Sequence, residues 1–176
     1  MAATKKKKKK TAMAVINQHI KTGEFAKIYL LYGEERYLVN QYRDKLLSAL
    51  TDKDDNLNFM KFAGNGIDTS ELLAFCNEMP FFADRRVVLV ENSGLFKSSN
   101  EDFAKKLVEI EDTSVAIFVE MDVDTRYKLF KAVDKNGEAL DFATPDEKMM
   151  VTWVKSLFRA DGCHHRHGDI QDNRSC

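Results

Sequence analysis

The sequence predicts an α/β fold in which a parallel sheet carries helices on both faces. Short apolar runs such as IYLLY and VAIFVE alternate along the chain with amphipathic segments of helical period. Strands that are buried on both faces read as nearly continuous apolar runs, so these runs favour a parallel sheet. The chain is also 44% hydrophobic, with 12 Phe in 176 residues, which is enough to bury a core without disulfides.

Five strands and five helices are predicted between residues 11 and 143. The predicted strands cover residues 27–32, 58–63, 86–91, 115–120 and 138–142. The predicted helices cover residues 11–21, 35–50, Asp68 or Thr69 to Met79, 99–109, and a last helix capped by Asp124 that carries Tyr127, Phe130 and Val133. The apolar side of the third helix is expected to face the core and consists of Leu72, Phe75, Cys76 and Met79.

The two ends of the chain differ in character from the α/β domain, which we expect to span residues 11–143. Residues 1–10 form a lysine-rich tail that we expect to be solvated and disordered. Pro145 stands at the favoured first position of a helix over residues 144–160, which we expect to begin a second, truncated helical domain. Residues 161–176 lack any apolar periodicity and are expected to be unstructured.

Charge and cysteine content narrow the function classes. The formal net charge is −1, and without the six lysines at residues 5–10 the rest of the chain carries −7. An acidic body argues against a broad basic face that grips nucleic acid. Cys76, Cys163 and Cys176 are odd in number and widely spaced, which indicates a reduced, cytoplasmic protein. No run of 18 apolar residues occurs, so we expect no membrane-spanning segment.

The first strand-to-helix turn is the place where a nucleotide-binding α/β protein has its phosphate loop. Such a loop is rich in glycine and ends in Gly-Lys-Ser or Gly-Lys-Thr, so that backbone amides and a lysine hold the phosphates. The turn here reads Gly33-Glu34-Glu35-Arg36-Tyr37, with one glycine, no lysine and two carboxylates that would repel phosphate. We therefore expect no nucleotide hydrolysis and no cofactor.

The sequence predicts no metal site and no catalytic residues. Glu91 and Asp122 lie at the ends of the third and fourth predicted strands, but without a phosphate loop they have no phosphate-bound magnesium to hold, and we expect them to be solvated. His19 lies on a polar helix face, which also predicts a solvated side chain. Closed zinc sites join two separated ligand pairs, whereas four ligand-type side chains here crowd into five residues: Cys163, His164, His165 and His167.

The stretch NEMPFFADRRVVLVENSG, residues 77–94, combines a helix stop with two adjacent aromatic rings. Pro80 ends the preceding helix, because the residue before a proline is driven out of the helical conformation. Phe81 and Phe82 follow directly, and neighbouring side chains on a strand point to opposite faces. One core accommodates one of these rings easily, but both less easily. The residues alone leave two interpretations open: the rings wedge into the protein's own interior, or they anchor a partner.

Four segments, taken in order, connect this chain to a known family. They are KIYLLYGEERYLVNQY (27–42), CNEMPFFADRRVVLVEN (76–92), AIFVEMDVDTRYKLFKAV (116–133) and FATPDEKMMVTWVKSLF (142–158). Together they resemble the delta subunit of the bacterial DNA polymerase III clamp loader. The resemblance implies an AAA+-like N-terminal domain, similar to P-loop NTPases but without a functional phosphate loop. It covers roughly the first half of a family chain, so the sequence reads as a fragment that lacks the rest of a second domain and a helical third.

The resemblance also implies a non-catalytic role in DNA replication. A clamp-loader delta subunit binds the sliding clamp and opens it for loading onto primed DNA, while partner subunits use ATP. The holoenzyme it serves is a DNA-directed DNA polymerase, a nucleotidyltransferase. Contacts with the other clamp-loader subunits would depend mainly on the missing C-terminal domain, and DNA would be met only through the assembled complex.

The family's clamp site is a short apolar pair that inserts into a hydrophobic pocket of the clamp. That pair matches Phe81 and Phe82 here, with Met79 just before them, although the family's pair is often Leu-Phe and Pro80 departs from the pattern. The expected rim of the site consists of Asn77, Glu78, Asp84, Arg85 and Arg86. Two alternatives stay open: a degenerate nucleotide-binding α/β enzyme, and a scaffold domain that docks another protein through the same pair.

Overall fold

Five parallel strands form one sheet, with the third, fourth and first strands of the chain at its centre, the second strand at one edge and the fifth at the other. The computed structural model describes residues 11–52 and 55–143, all of which belong to one compact unit. The strands are β1 (Ile28–Tyr32), β2 (Phe59–Ala63), β3 (Arg86–Glu91), β4 (Ser114–Glu120) and β5 (Glu138–Asp141). Every neighbouring pair runs parallel, with Leu30 of β1 opposite Phe118 of β4, for example. The predicted parallel α/β fold is confirmed.

Helices cover both faces of this sheet. They are α1 (Ala12–Thr22), α2 (Arg36–Leu50), α3 (Thr69–Cys76), α4 (Glu101–Val108) and α5 (Lys128–Asn136), with a 3-10 turn at Leu95–Lys97. Because successive strand residues point to opposite faces, Leu30 and Phe118 pack with α3, α4 and α5. Tyr29, next to Leu30, instead packs against α1, and α2 lies beside α1 on that second face.

The larger core lies between the sheet and α3, α4 and α5. Phe118 of β4 meets the rings of Phe96 and Phe103 edge-on, at centroid distances of 5.4 Å and 6.4 Å. Leu72 and Cys76 of α3 are fully buried in the same cluster. Each large apolar side chain buried in this way stabilises the fold by about 1.5–3 kcal/mol, and edge-to-face ring pairs contribute about 0.5–1.5 kcal/mol more.

His19 packs against the sheet, so the expectation of a solvated side chain was wrong. Its Nδ1 lies 2.7 Å from the Tyr29 hydroxyl, and its ring meets the Tyr29 ring edge-on. The Tyr29 hydroxyl also accepts a hydrogen bond from the Ala26 amide at 2.9 Å. Burial raises the pKa of Tyr29 to about 12, so the phenol stays neutral and keeps its proton for hydrogen bonding. The polar residues around His19 predicted a solvated side chain, but the Tyr29 hydroxyl of the sheet lies on that side of α1 and binds the imidazole.

Helix α3 begins as predicted and ends earlier than predicted. The Asp68 carboxylate caps it by accepting hydrogen bonds from the Ser70 and Glu71 amides at 2.8 Å and 3.2 Å. The helix stops at Cys76, and Met79, which was expected to face the core, is 83% exposed. The proline after Met79 disfavours a helical backbone at Met79. The helical spacing of apolar residues in the sequence therefore extends beyond the end of the helix itself.

The last helix begins at Lys128, after the predicted cap. The Asp124 carboxylate binds the guanidinium of Arg126, with Arg126 Nε at 2.9 Å, and accepts the Arg126 amide at 3.0 Å. The Asp124 carboxylate is therefore engaged in this local turn and does not cap α5. Tyr127 occupies the cap position, and its side chain makes no capping hydrogen bond. The apolar side of α5 nevertheless faces the core through Leu129 and Val133.

The expectations for the two ends concern residues that lie outside the described part of the chain. These are the tail at residues 1–10, the helix at residues 144–160 and the segment at residues 161–176. Within the described residues, no helix has the length and apolar character that crossing a bilayer would require.

Candidate protein-interaction site

The aromatic corner, residues 79–82, joins α3 to β3 at the amino edge of the sheet, with its aromatic side chains exposed. Phe82 is 96% exposed and Phe81 is 55% exposed. The two rings meet edge-on with centroids 4.6 Å apart. Of the two interpretations that the sequence left open, enclosure of both rings in the protein's own interior is therefore excluded. The corner places apolar surface in solvent, which is the property that a partner-binding site needs.

Phe82 has a backbone conformation that L-residues rarely adopt. Its φ is +51°, in the left-handed region, where the Cβ of an ordinary residue crowds its own backbone. The cost of this conformation is about 1–2 kcal/mol. It turns the chain sharply after Phe81, so neighbouring contacts have to hold the corner in place.

The first of these contacts is the side chain of Asn58, which precedes β2. The Phe81 amide donates to Asn58 Oδ1 at 2.7 Å, and Asn58 Nδ2 donates to the Phe81 carbonyl at 2.9 Å. Asn58 is only 3% exposed. The Asp55 carboxylate accepts from Asn58 Nδ2 at 3.0 Å, and its hydrogen bonds with Asn58 hold the pKa of Asp55 below its usual value.

Arg86 forms the second set of contacts under the corner. Its Nε donates to the Met79 carbonyl at 3.0 Å, and its guanidinium pairs with the Glu78 carboxylate at 3.0 Å. The same guanidinium lies 4.5 Å from the centre of the Phe75 ring. Arg86 is 9% exposed, so it supports the corner from inside and is not the rim contact that was expected.

The other expected rim residues lie around the corner at different depths. Asn77 and Asp84 are exposed, while the guanidinium of Arg85 lies 5.4 Å from the centre of the Phe25 ring. Glu78 is exposed but tied to Arg86. A groove of about 630 Å³ runs between the end of α2 and the corner, and its walls include Leu50, Asp52, Phe81, Phe82 and Asp84.

The turn after β1, where a phosphate loop would lie, is occupied by the protein's own backbone. The Glu35 amide, at the start of α2, donates to the Phe142 carbonyl at 3.1 Å. A Cβ on Gly33 would lie 2.5 Å from the carbonyl carbon of Phe142, so the two chain segments are in direct contact. Phosphate binding at such a turn depends on amides that point into open space. The packing of Phe142 and the carboxylates of the turn both oppose it.

Glu91, the last residue of β3, and Asp122, two residues after β4, differ in their surroundings. Asp122 is exposed, as expected, and binds Lys97 Nζ at 2.7 Å. Glu91 is largely buried and pairs with Arg43 at 2.5 Å and Lys61 at 2.6 Å, so the expectation that it is solvated was wrong. Among residues 11–52 and 55–143, no three His, Cys, Asp or Glu side chains converge as metal ligands would. The four Cys and His residues between 163 and 167 lie outside these ranges.

The five-stranded parallel sheet with this strand order has an AAA+-like fold, and its first strand-to-helix turn lacks the sequence of a phosphate loop. Residues 29–143 match the family model described as "DNA polymerase III, delta subunit", and the chain belongs to this family. The matched region contains the whole aromatic corner.

The chain is also similar to a curated protein and to solved structures. The DNA polymerase III subunit delta of Bacillus subtilis (strain 168) is 29% identical over 156 residues, which is 81% of this chain and 44% of the relative. The structure of the Bacillus subtilis DNA clamp loader delta protein has a TM-score of 0.71 at 19% identity, covering 84% of this chain and 47% of that one. A gamma subunit-related DNA polymerase III protein of Thermotoga maritima has a TM-score of 0.53 at 12% identity, covering 86% and 52%. These structures share the fold, and the chain spans about half the length of each relative.

Sequence reasoning missed Asn58 and misassigned Arg86. Asn58 lies 23 residues before Phe81, the residue whose backbone it holds. An asparagine just before a strand is an ordinary turn residue, so nothing local in the sequence indicates its contact with the corner. Arg86 follows a second arginine, and only the packing shows which of the two is buried.

Proposed function

We propose that this chain is the clamp-binding part of a clamp-loader delta subunit, with no catalytic role of its own. It binds the sliding clamp and helps to open the ring for loading onto primed DNA. The observation that carries the proposal is the aromatic corner, which exposes Phe81 and Phe82 within the region that matches the delta family. A hydrophobic pocket on the clamp would receive the two rings.

The aromatic pair has enough apolar surface to act as a binding hot spot. Burying two phenyl rings contributes about 3–6 kcal/mol by transfer free energies. Association also costs translational and rotational freedom, so such a pair anchors a complex without making it tight by itself. Asn77 and Asp84 are exposed, and as rim residues they would add further contacts.

Opening the clamp requires more than binding it. A ligand that binds two states equally well shifts nothing between them, so this domain must bind the open ring better than the closed ring. In this chain the Phe142 backbone packs against the turn that would hold a phosphate. We therefore expect other subunits of the loader to use the ATP. Measurable ATP binding or turnover by the purified chain would instead favour a degenerate nucleotide-binding enzyme.

The cellular setting follows from the same proposal. The chain acts in the cytoplasm, where the replication machinery of bacteria is found, and it meets DNA only through the assembled complex. Its other partners are the remaining clamp-loader subunits, and how firmly it joins them depends on segments of the relatives that this chain does not span.

A binding measurement with purified sliding clamp tests the proposal. The double variant Phe81→Ala with Phe82→Ala should weaken binding at least about 30-fold, because it removes most of the anchoring apolar surface. Met121→Ala removes an exposed apolar side chain at the carboxyl edge of the sheet and serves as the matched control. Surface plasmon resonance should show unchanged affinity for the control. Equal clamp affinity for wild type and the double variant would refute the assignment.

A further inference from the structure

The side chain of Asn58 has a contact pattern suited to fixing the aromatic corner. We propose that Asn58 is a positioning residue for partner binding, which holds Phe81 so that Phe82 points outward before the partner arrives. This inference rests on the proposed function, since it concerns how the same corner meets the clamp.

The side-chain amide of Asn58 binds both the backbone N–H and the backbone carbonyl of Phe81, as the backbone of a neighbouring strand would. Oδ1 accepts from the Phe81 amide at 2.7 Å, and Nδ2 donates to the Phe81 carbonyl at 2.9 Å. A side-chain amide offers an acceptor and a donor in this fixed arrangement without any change of protonation. The Asp55 carboxylate accepts from the same Nδ2 and so holds the amide in the required orientation.

The sheet itself does not depend on this side chain. Asn58 joins the β2–β3 pairing through its main chain, where its carbonyl accepts from the Val87 amide at 2.7 Å. The side chain makes its hydrogen bonds only with Asp55 and Phe81 among the described residues. Replacing the amide therefore leaves the strand ladder intact and frees the backbone of Phe81, while Arg86 still binds the Met79 carbonyl.

Without the Asn58 hydrogen bonds, a smaller fraction of molecules has the corner in the conformation that binds the partner, and binding is weaker for that reason. Phe82 has a φ of +51°, which is unfavourable for an L-residue, so an untethered segment relaxes to other conformations. The observed dissociation constant rises in proportion as the competent fraction falls. With the tether intact, the corner is ordered in advance, and the partner does not supply the ordering free energy.

The first experiment measures clamp affinity for Asn58→Ala in the complete chain. We expect the dissociation constant to rise about 10-fold, since a competent fraction near one tenth has that effect. Asn100→Ala is the matched control, because Asn100 ties a different loop by donating to the Leu95 carbonyl at 2.7 Å. Both variants should lose similar stability in urea titrations, but only Asn58→Ala should lose affinity.

A second variant gives a pH profile that a general loss of stability would not produce. Asn58→Asp keeps the acceptor for the Phe81 amide and loses the donor for the Phe81 carbonyl while the new carboxyl is ionised. Asp55 contacts the side chain at position 58, Asp52, Asp84 and Arg85 line the same groove, and the charge of Arg86 acts on Asp55. Burial and the Asp55 carboxylate should raise the pKa of the new carboxyl, and its protonated form regains a donor. Affinity relative to wild type should therefore recover as the pH is lowered through the raised pKa of the new carboxyl.

The outcomes separate this inference from the function on which it rests. If Asn58→Ala binds the clamp as tightly as Asn100→Ala, or Asn58→Asp shows no recovery at low pH, the positioning role is wrong, although loss of binding by the double phenylalanine variant would still support the clamp site. If the double variant binds normally, the proposed function fails and the positioning role fails with it.

Discussion

At the scale of single residues, Phe82 shows a conflict between stability and exposure. A large aromatic side chain is 96% exposed, and its backbone has a φ of +51°. Neither property helps the isolated domain, because exposed apolar surface is unfavourable in water and the left-handed conformation costs about 1–2 kcal/mol. Such a residue is expected where binding, and not folding, determines the side chain.

Substitutions at Phe82 should reveal this conflict. We expect Phe82→Gly to have a free energy of unfolding about 1 kcal/mol higher than Phe82→Ala, because glycine adopts a positive φ without strain. At an ordinary position alanine is the more stable of the two. Urea denaturation of both variants measures the difference. A higher stability for Phe82→Ala would mean that the left-handed conformation is not strained here.

At the scale of secondary-structure elements, Glu91 joins three of them. It ends β3, and its carboxylate binds Arg43 of α2 and Lys61 of β2 at 2.5 Å and 2.6 Å. Burial opposes ionisation of this carboxyl, but the hydrogen bonds and charges of Lys61 and Arg43 outweigh it, so the pKa of Glu91 lies below its usual value. A lowered pKa stabilises the fold above the unfolded-state value of about 4.3, and that stabilisation is lost as the pH falls through the folded-state pKa.

Glu91→Gln should therefore destabilise the protein in a pH-dependent way. At pH 7 we expect a loss of about 1–2 kcal/mol, because two cations lose a charged acceptor. The difference from wild type should shrink as the pH is lowered below about 4, where the wild-type carboxyl is itself protonated. Urea titrations at several pH values measure it. Glu109→Gln, at an exposed position, is the control, and a pH-independent difference for Glu91→Gln would contradict the ion-pair account.

At the scale of the whole molecule, the two ends of the strands differ in structure. Open α/β sheets usually bind ligands at the carboxyl ends of their strands. Here, part of the carboxyl edge is closed by the contact of Phe142 with Gly33 and Glu35. The aromatic corner lies at the opposite edge, where α3 returns and β3 begins. The surface proposed to bind a partner is thus separated from the place where this fold would hold a nucleotide.

Thiol labelling of Cys76 tests how firmly α3 belongs to the core beneath the corner. Burial raises the pKa of Cys76 to about 12, with only a smaller opposing effect from Arg86. In a variant with Cys163→Ser and Cys176→Ser, we expect labelling at least about 10³-fold slower in the native protein than in urea, because reaction requires unfolding. Absorbance with an aromatic disulfide reagent measures the rate. Rapid native labelling would show that α3 opens locally.

The sheet was predictable from the sequence because its signal is local. The three central strands, β3, β4 and β1, are short apolar runs, and the residues of β4 are buried throughout, as a central parallel strand requires. Helix ends were less predictable, because competing hydrogen bonds decide them. Asp124 binds Arg126 instead of capping α5. The apolar spacing of α3 extends to Met79 in the sequence and predicted a buried side chain there, but Met79 is exposed.

The candidate site was predictable only in part. Phe81 and Phe82 were visible as an unusual pair, but their exposure depends on contacts distant in the sequence. Asn58 and the corner are 23 residues apart, and no local pattern links them. Arginine is a residue type that usually lies on the surface. Arg86 is buried because its guanidinium packs on the Phe75 ring and donates to the Met79 carbonyl. Such pairings become visible only when the chain is folded.

Both ends of the aromatic corner are fixed in the hydrophobic interior, since Cys76 is fully buried just before it and Val87 just after it. A segment that is anchored in this way can be exchanged without altering the sheet, provided that the replacement spans the same gap. The domain therefore offers a graftable loop: short recognition peptides inserted in place of residues 79–82 would be held in a constrained conformation. Its specificity could be reprogrammed while its architecture is kept.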